Sequence, residues 1–155
     1  MASSTGQRPN YVFRKPLAVK QERMKLEHIG IAVKSLETSI PLYEQLLGTL
    51  CYKTESVASE QVNTAFFLTE NSKVELLESS DPAGVISKFI DKKGEGLHHI
   101  AFEVPDIEAE MARLREAGFI LLNDSPKDGA DNKRICFLHP KSTNGVLVEL
   151  CQEKS

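Results

Sequence analysis

A chain of 155 residues, 41% apolar and 26% charged, can bury a core without disulfides, as one domain or two fused halves. Its net charge of −3 is uneven: residues 1–25 carry six basic residues and one acid, the rest 13 basic and 21 acidic. An acidic body argues against nucleic-acid binding, no apolar run approaches the roughly 18 residues of a membrane helix, and the sequence shows no signal-peptide h-region.

Residues 1–23 are polar, hold Pro9 and Pro16, and show no periodicity. They read as a disordered tail or a non-native extension with Met24 as the natural start, or alternatively as a basic transit peptide, which the two prolines disfavour. Leu26–Val33 is apolar and β-branched, a strand. Ser35 is placed to cap a helix whose stripe is Leu36, Ile40, Tyr43, Leu46 and Leu47, with Pro41 disturbing its first turn and Gly48 ending it. Strands follow near 50–56, 62–69 and 73–79, then a linker helix opened by Asp81-Pro82 with Val85, Ile86, Phe89 and Ile90 on one side. The order then repeats: a strand over 97–104, an Asp106-capped helix with Ile107, Met111, Leu114 and Ala117 that stops at Gly118, and strands near 119–123, 133–138 and 145–151.

The repetition extends to single residues. Leu26-Glu27-His28-Ile29 matches Leu97-His98-His99-Ile100, with His28 and His99 71 positions apart. Gly48 and Gly118 are 70 apart, and Val74-Glu75-Leu76 matches Val148-Glu149-Leu150 at 74. Three matches in register mark a duplicated βαβββ module: residues 24–80 and 96–155, joined by a linker over 81–95.

Each module thus has one His in its first strand and one Glu in its last. Side chains alternate across a strand, so one position selects one face. If the modules pair about a pseudo-twofold axis, His28, Glu75, His99 and Glu149 converge. Taken singly, a strand His is more often a satisfied core residue, and a strand Glu often faces water. Together they suit a divalent ion, because an unpaired buried carboxylate is costly. Two imidazoles and two carboxylates fit Mn, Co, Ni, Fe or Zn, and leave open positions for a substrate oxygen. His98, next to His99, is expected on the opposite face, and His139 at a strand end; both stay outside the ligand set. Cys51, Cys136 and Cys151 form no CxxC pair and read as small core residues in a reducing compartment.

At HIGIAV (28–33), KVELLE (73–78), GEGLHHIAFEV (94–104) and FLHPKSTNGVLVEL (137–150) the chain resembles the vicinal oxygen chelate superfamily, and within it the methylmalonyl-CoA epimerases, from about residue 25 to 152. The resemblance implies an α+β glyoxalase-type fold, two paired βαβββ modules forming a curved mixed sheet around a metal site. It places that family's metal ligands on His28, Glu75, His99 and Glu149. Some epimerases have Gln where Glu75 stands. Some also have a glutamate proposed as a catalytic base on the strand where this chain reads Val62-Asn63-Thr64-Ala65-Phe66; the nearest acids are Glu60 and Glu70.

The implied activity is interconversion of (2R)- and (2S)-methylmalonyl-CoA, by removal and return of the α-proton through a metal-stabilised enolate. Glu149 is the favoured proton-transfer group and Glu60 a weaker one. The implied cofactor is a divalent ion such as Co, Mn, Ni or Zn, with a homodimer and no redox cofactor. Substrate phosphates or carboxylate would meet Lys127, Arg134 and Lys141, with Lys133 in the same cluster. The setting is a bacterial cytoplasm, or a mitochondrial matrix if the basic tail is a presequence. A glyoxalase I-like lactoylglutathione lyase and a non-catalytic binding protein of the same fold are the alternatives.

Overall fold

A computed structural model describes residues 23–155, so the expected tail lies outside the described residues except for Arg23. In chain order the elements are β1 (Lys25–Ala32), α1 (Leu36–Leu47), β2 (Lys53–Val57), β3 (Val62–Leu68), β4 (Lys73–Ser79) and α2 (Val85–Lys93). After these come β5 (Gly96–Glu103), α3 (Ile107–Glu116), β6 (Lys127–Asp128), β7 (Lys133–Leu138) and β8 (Val148–Glu153).

The helix boundaries follow local chemistry. Ser35 Oγ accepts the Thr38 N–H at the start of α1, and Asp106 does the same for Ala109 at the start of α3. Gly48, at φ 65°, closes α1 by donating to the Glu44 carbonyl, in a backbone region where glycine carries no Cβ penalty. The first turn of α1 is intact, because the Ser39 N–H still reaches the Ser35 carbonyl and Pro41 lies beyond it. The linker helix starts later than expected. Asp81 builds a turn by accepting the Ala83 and Gly84 N–H groups, and Gly84 caps α2.

The eight strands of the described residues form one sheet in the order β2-β3-β4-β1-β5-β8-β7-β6. β1 pairs with β4 and β5 with β8 in parallel, while β1 and β5 meet antiparallel at the centre. The two halves are therefore related by an approximate twofold axis between β1 and β5. One face of the sheet packs on α1 through Leu36, Phe67 and Leu76, and on α3 through Ile107, Met111, Leu114, Cys136 and Leu150. Burying these side chains contributes about 1.5–3 kcal/mol each. α2 covers part of the other face, with Ile86 against Val57, Val62 and Leu77. Cys136 and Cys151 are buried and Cys51 half-buried, all as free thiols.

The strand expected over 119–123 does not form. The segment makes only an isolated bridge from Leu121 to Leu138. Its ladder fails because the Asn123 side-chain oxygen takes the Phe137 N–H, and Pro126 just beyond has no N–H to offer. The edge strand is β6 instead. Among the described residues no helix is long and apolar enough to cross a membrane.

Candidate metal centre

The β1–β5 register decides what meets at the centre of the sheet. His28 stands opposite Ala101, and Gly30 opposite His99. Extending these rows outward, Gly30 is beside Glu75 on β4, and Ala101 is beside Glu149 on β8. Two rows result: Glu75–Gly30–His99 and His28–Ala101–Glu149. Partners across a ladder share a face, and so do residues two apart on a strand. All four functional side chains therefore rise from one face, and the middle of each row is a residue with little or no side chain.

That layout brings the polar atoms together. His28 Nε2 lies 3.0 Å from His99 Nε2 and 3.1 Å from Glu75 Oε2. His99 Nε2 is 3.5 Å from carboxylate oxygens of both Glu75 and Glu149, and His28 Nε2 is 4.0 Å from Glu149. Donors of His28, His99 and Glu149 all fall within 4.8 Å of one another. Glu75 stands outside that mutual group yet contacts both imidazoles, so it closes the set from β4. Each of the four residues is at most 6% exposed.

Burial shifts the ionisation of these groups in different directions. Burial opposes a charged imidazole, but hydrogen bonds to Glu27 and Glu75, and the charges of Glu75 and Glu149, raise the His28 pKa to about 10. Burial likewise opposes ionisation of Glu75, yet hydrogen bonds from His28 and His99 lower it to about 2. Burial pushes Glu149 up, only partly offset by the two histidines. Two buried imidazoles thus stand 3.0–4.0 Å from each other and from two buried carboxylates. A divalent cation satisfies the same donors, which is the fit expected of a metal site.

The site forms the floor of a cavity of about 220 Å3, walled by apolar residues including Val62, Leu77, Ile86 and Phe137. Lys127 lines it, 2.7 Å from Glu60 Oε1 and 5.7 Å from the Phe137 ring centre; that ring lies 5.9 Å from the His99 ring. Lys133 lines it too and is buried. Arg134 and Lys141, the other two expected substrate contacts, are outside the cavity lining. Arg134 alternates to the other face of β7 and pairs with Glu108 of α3, while Lys141 is exposed in the turn over 140–142, outside the cavity lining. Thr64 is fully buried in the cavity wall and donates to the Glu55 carbonyl, so β3 presents no acid there. Glu60 lines the cavity and Glu70 does not.

His98 departs from expectation. It lies on the side of the site, with Nδ1 3.0 Å from His99 Nδ1, because β5 bulges there: Gly30 faces His99, yet Ile31 faces Leu97. An extra residue in one strand breaks the simple alternation. The matching bulge on β1 leaves Glu27 between Leu26 and His28, and Glu27 accepts from His28 Nδ1. Glu27 was not among the expected site residues. The 71-residue offset, which maps it onto His98, was the available signal. His139 remains apart, capping the 140–142 turn.

Residues 27–137 match the Glyoxalase/Bleomycin resistance protein/Dioxygenase superfamily. The ethylmalonyl-CoA/methylmalonyl-CoA epimerase of Cereibacter sphaeroides is 40% identical over 130 residues, covering 83% of this chain and 97% of that protein. The methylmalonyl-CoA epimerase of Mycobacterium tuberculosis superposes with a TM-score of 0.81 at 34% identity, covering 84% of this chain and 89% of that one. A methylmalonyl-CoA epimerase solved with methylmalonyl-CoA and NH4+ superposes at 0.80 with 35% identity, covering 85% and 96%. With its fold, its paired modules and its central residues in place, the chain belongs to the methylmalonyl-CoA epimerase family of the glyoxalase superfamily.

Proposed function

We propose that this protein interconverts (2R)- and (2S)-methylmalonyl-CoA with a divalent ion held by His28, Glu75, His99 and Glu149. The observation that carries the reading is the pair of sheet rows that set two imidazoles and two carboxylates on one buried floor, in a chain of this family. The bound ion would supply Lewis-acid stabilisation of the charge that develops on the thioester oxygen as the α-proton leaves.

The remaining work falls to the chain. Glu149 exchanges the α-proton at a carboxylate oxygen on one face of the carbon, and inversion requires a second group to deliver a proton on the opposite face. Lys127 and Lys133 offer the substrate cations at the cavity wall, and Glu60, paired with Lys127, is the cavity acid assigned to the opposite face of the carbon. The apolar walls exclude water from the carbanionic carbon. A homodimer and a cytoplasmic setting belong to the same reading and rest on the resemblance.

The test is turnover of stereochemically pure (2S)-methylmalonyl-CoA by the metal-loaded chain, run beside the hemithioacetal of glutathione and methylglyoxal. The first substrate should epimerise and the second remain. The reverse would make the chain a lactoylglutathione lyase.

A further inference from the structure

The two β-bulges place a polar residue directly behind each central histidine. Glu27 is the extra residue of β1 and His98 that of β5, and they are equivalents under the 71-residue repeat. Glu27 is 4% exposed, and one of its oxygens accepts from His28 Nδ1. Its other oxygen is held by the Lys73 ammonium at 2.5 Å, and Lys73 in turn is tied to Asp131 at 2.7 Å. Lys133 Nζ stands 4.0 Å away. On the other side, His98 Nδ1 lies 3.0 Å from His99 Nδ1, and its ring is seated edge-on against Phe89 of α2, with centres 4.9 Å apart.

We infer that Glu27 and His98 are positioning residues for the metal ligands His28 and His99, an inference that rests on the metal reading above. An imidazole that binds an ion through Nε2 keeps its proton on Nδ1, and that proton needs an acceptor. Glu27 is the acceptor for His28. His98 Nδ1 is the acceptor for His99, which fixes His98 as the neutral Nε2–H tautomer. Outer partners of this kind set ring orientation and ligand basicity. The repeat has therefore kept the position and changed the chemistry. A carboxylate backs one ligand and a neutral imidazole the other, so His28 is the more basic donor and the centre is electronically lopsided despite its near-twofold backbone. Without the bulges both residues would point to the helix-covered face, and neither imidazole would have this support.

The experiment is Co2+ binding to the full chain by chelator competition, with one-dimensional proton NMR of the Co2+-loaded protein. Loss of an outer partner typically weakens metal binding about 10–100-fold. E27A should fall in that range and E27Q should recover part of it, because an amide oxygen still accepts from His28. H98A should cost less than E27A. Wild-type protein should show two exchangeable, metal-shifted Nδ1–H resonances. E27A should broaden or lose the His28 signal alone, and H98A the His99 signal alone, with the metal-free variants still folded by circular dichroism. A merely structural role would shift thermal stability and leave both resonances in place. Binding within twofold of wild type in E27A and H98A, with both resonances intact, overturns the inference. A wild-type chain that binds no Co2+ overturns it together with the metal reading. A chain that binds Co2+ and behaves as described, yet does not epimerise methylmalonyl-CoA, overturns only the substrate reading.

Discussion

Gly30 and His99 face each other across the β1–β5 ladder, and a Cβ on Gly30 would stand 2.8 Å from His99 Nε2 and nearer still to Cε1 and Nδ1. The His99 ring thus occupies the space that any side chain at position 30 would need. Gly30→Ala must push the ring away or spread the central strands. Overpacking of this kind costs about 1–3 kcal/mol. The expected outcome is a lower melting temperature and markedly weaker Co2+ binding. Gly48→Ala is the control. Its added Cβ meets nothing within 4 Å, and its cost comes only from the left-handed backbone, about 1 kcal/mol. Metal binding should be unchanged there. Calorimetry with and without Co2+ separates the two.

The metal-free cluster should titrate in a particular direction. The His28 pKa is raised to about 10 from an ordinary 6.5, so its bound proton stabilises the metal-free fold fully below 6.5. That contribution is lost as pH rises through about 10. A bound cation replaces this proton, so Co2+ affinity should climb with pH across the same window, by up to about tenfold per unit. Melting temperature from pH 6.5 to 10 should therefore fall in metal-free protein and hold steady in loaded protein. Parallel curves would count against a proton shared on His28.

The two carboxylates should respond differently to removal of charge. Glu75→Gln keeps an oxygen donor and should still bind Co2+ and epimerise, with the affinity reduced. Glu149→Gln removes the group assigned to proton transfer and should lower kcat by about 10²–10⁴-fold. Kinetics of both variants at saturating Co2+ test the assignment; equal losses would contradict it.

Stability should separate from the site. Met111 is 1% exposed beneath α3, on the side of the sheet away from the cavity. Met111→Ala should cost about 2–5 kcal/mol in denaturant unfolding while leaving Co2+ affinity unchanged.

The duplicated module and the four central residues were legible in the sequence because the His offset of 71 and the Glu offset of 74 carry a symmetry that the register then obeys. The bulges were not legible. Alternation sends Glu27 and His98 to the far face, and only an unpaired extra residue in each strand turns them back. Arg134 lies outside the cavity lining for a simpler reason. Lys133, Ile135 and Phe137 line the cavity while Cys136 and Leu138 pack under α3, so strict alternation already placed Arg134 outside. The strand missing at 119–123 depends on a single side chain, Asn123, capturing a backbone donor that a ladder would have used.

The most direct test of the account is α-proton exchange of methylmalonyl-CoA in D2O, followed by proton NMR with metal-stripped full-length chain, before and after addition of Co2+. Deuterium uptake that requires the ion and accompanies epimerisation is the predicted result. A chain that binds Co2+ at the four-residue floor but exchanges no α-proton would contradict it.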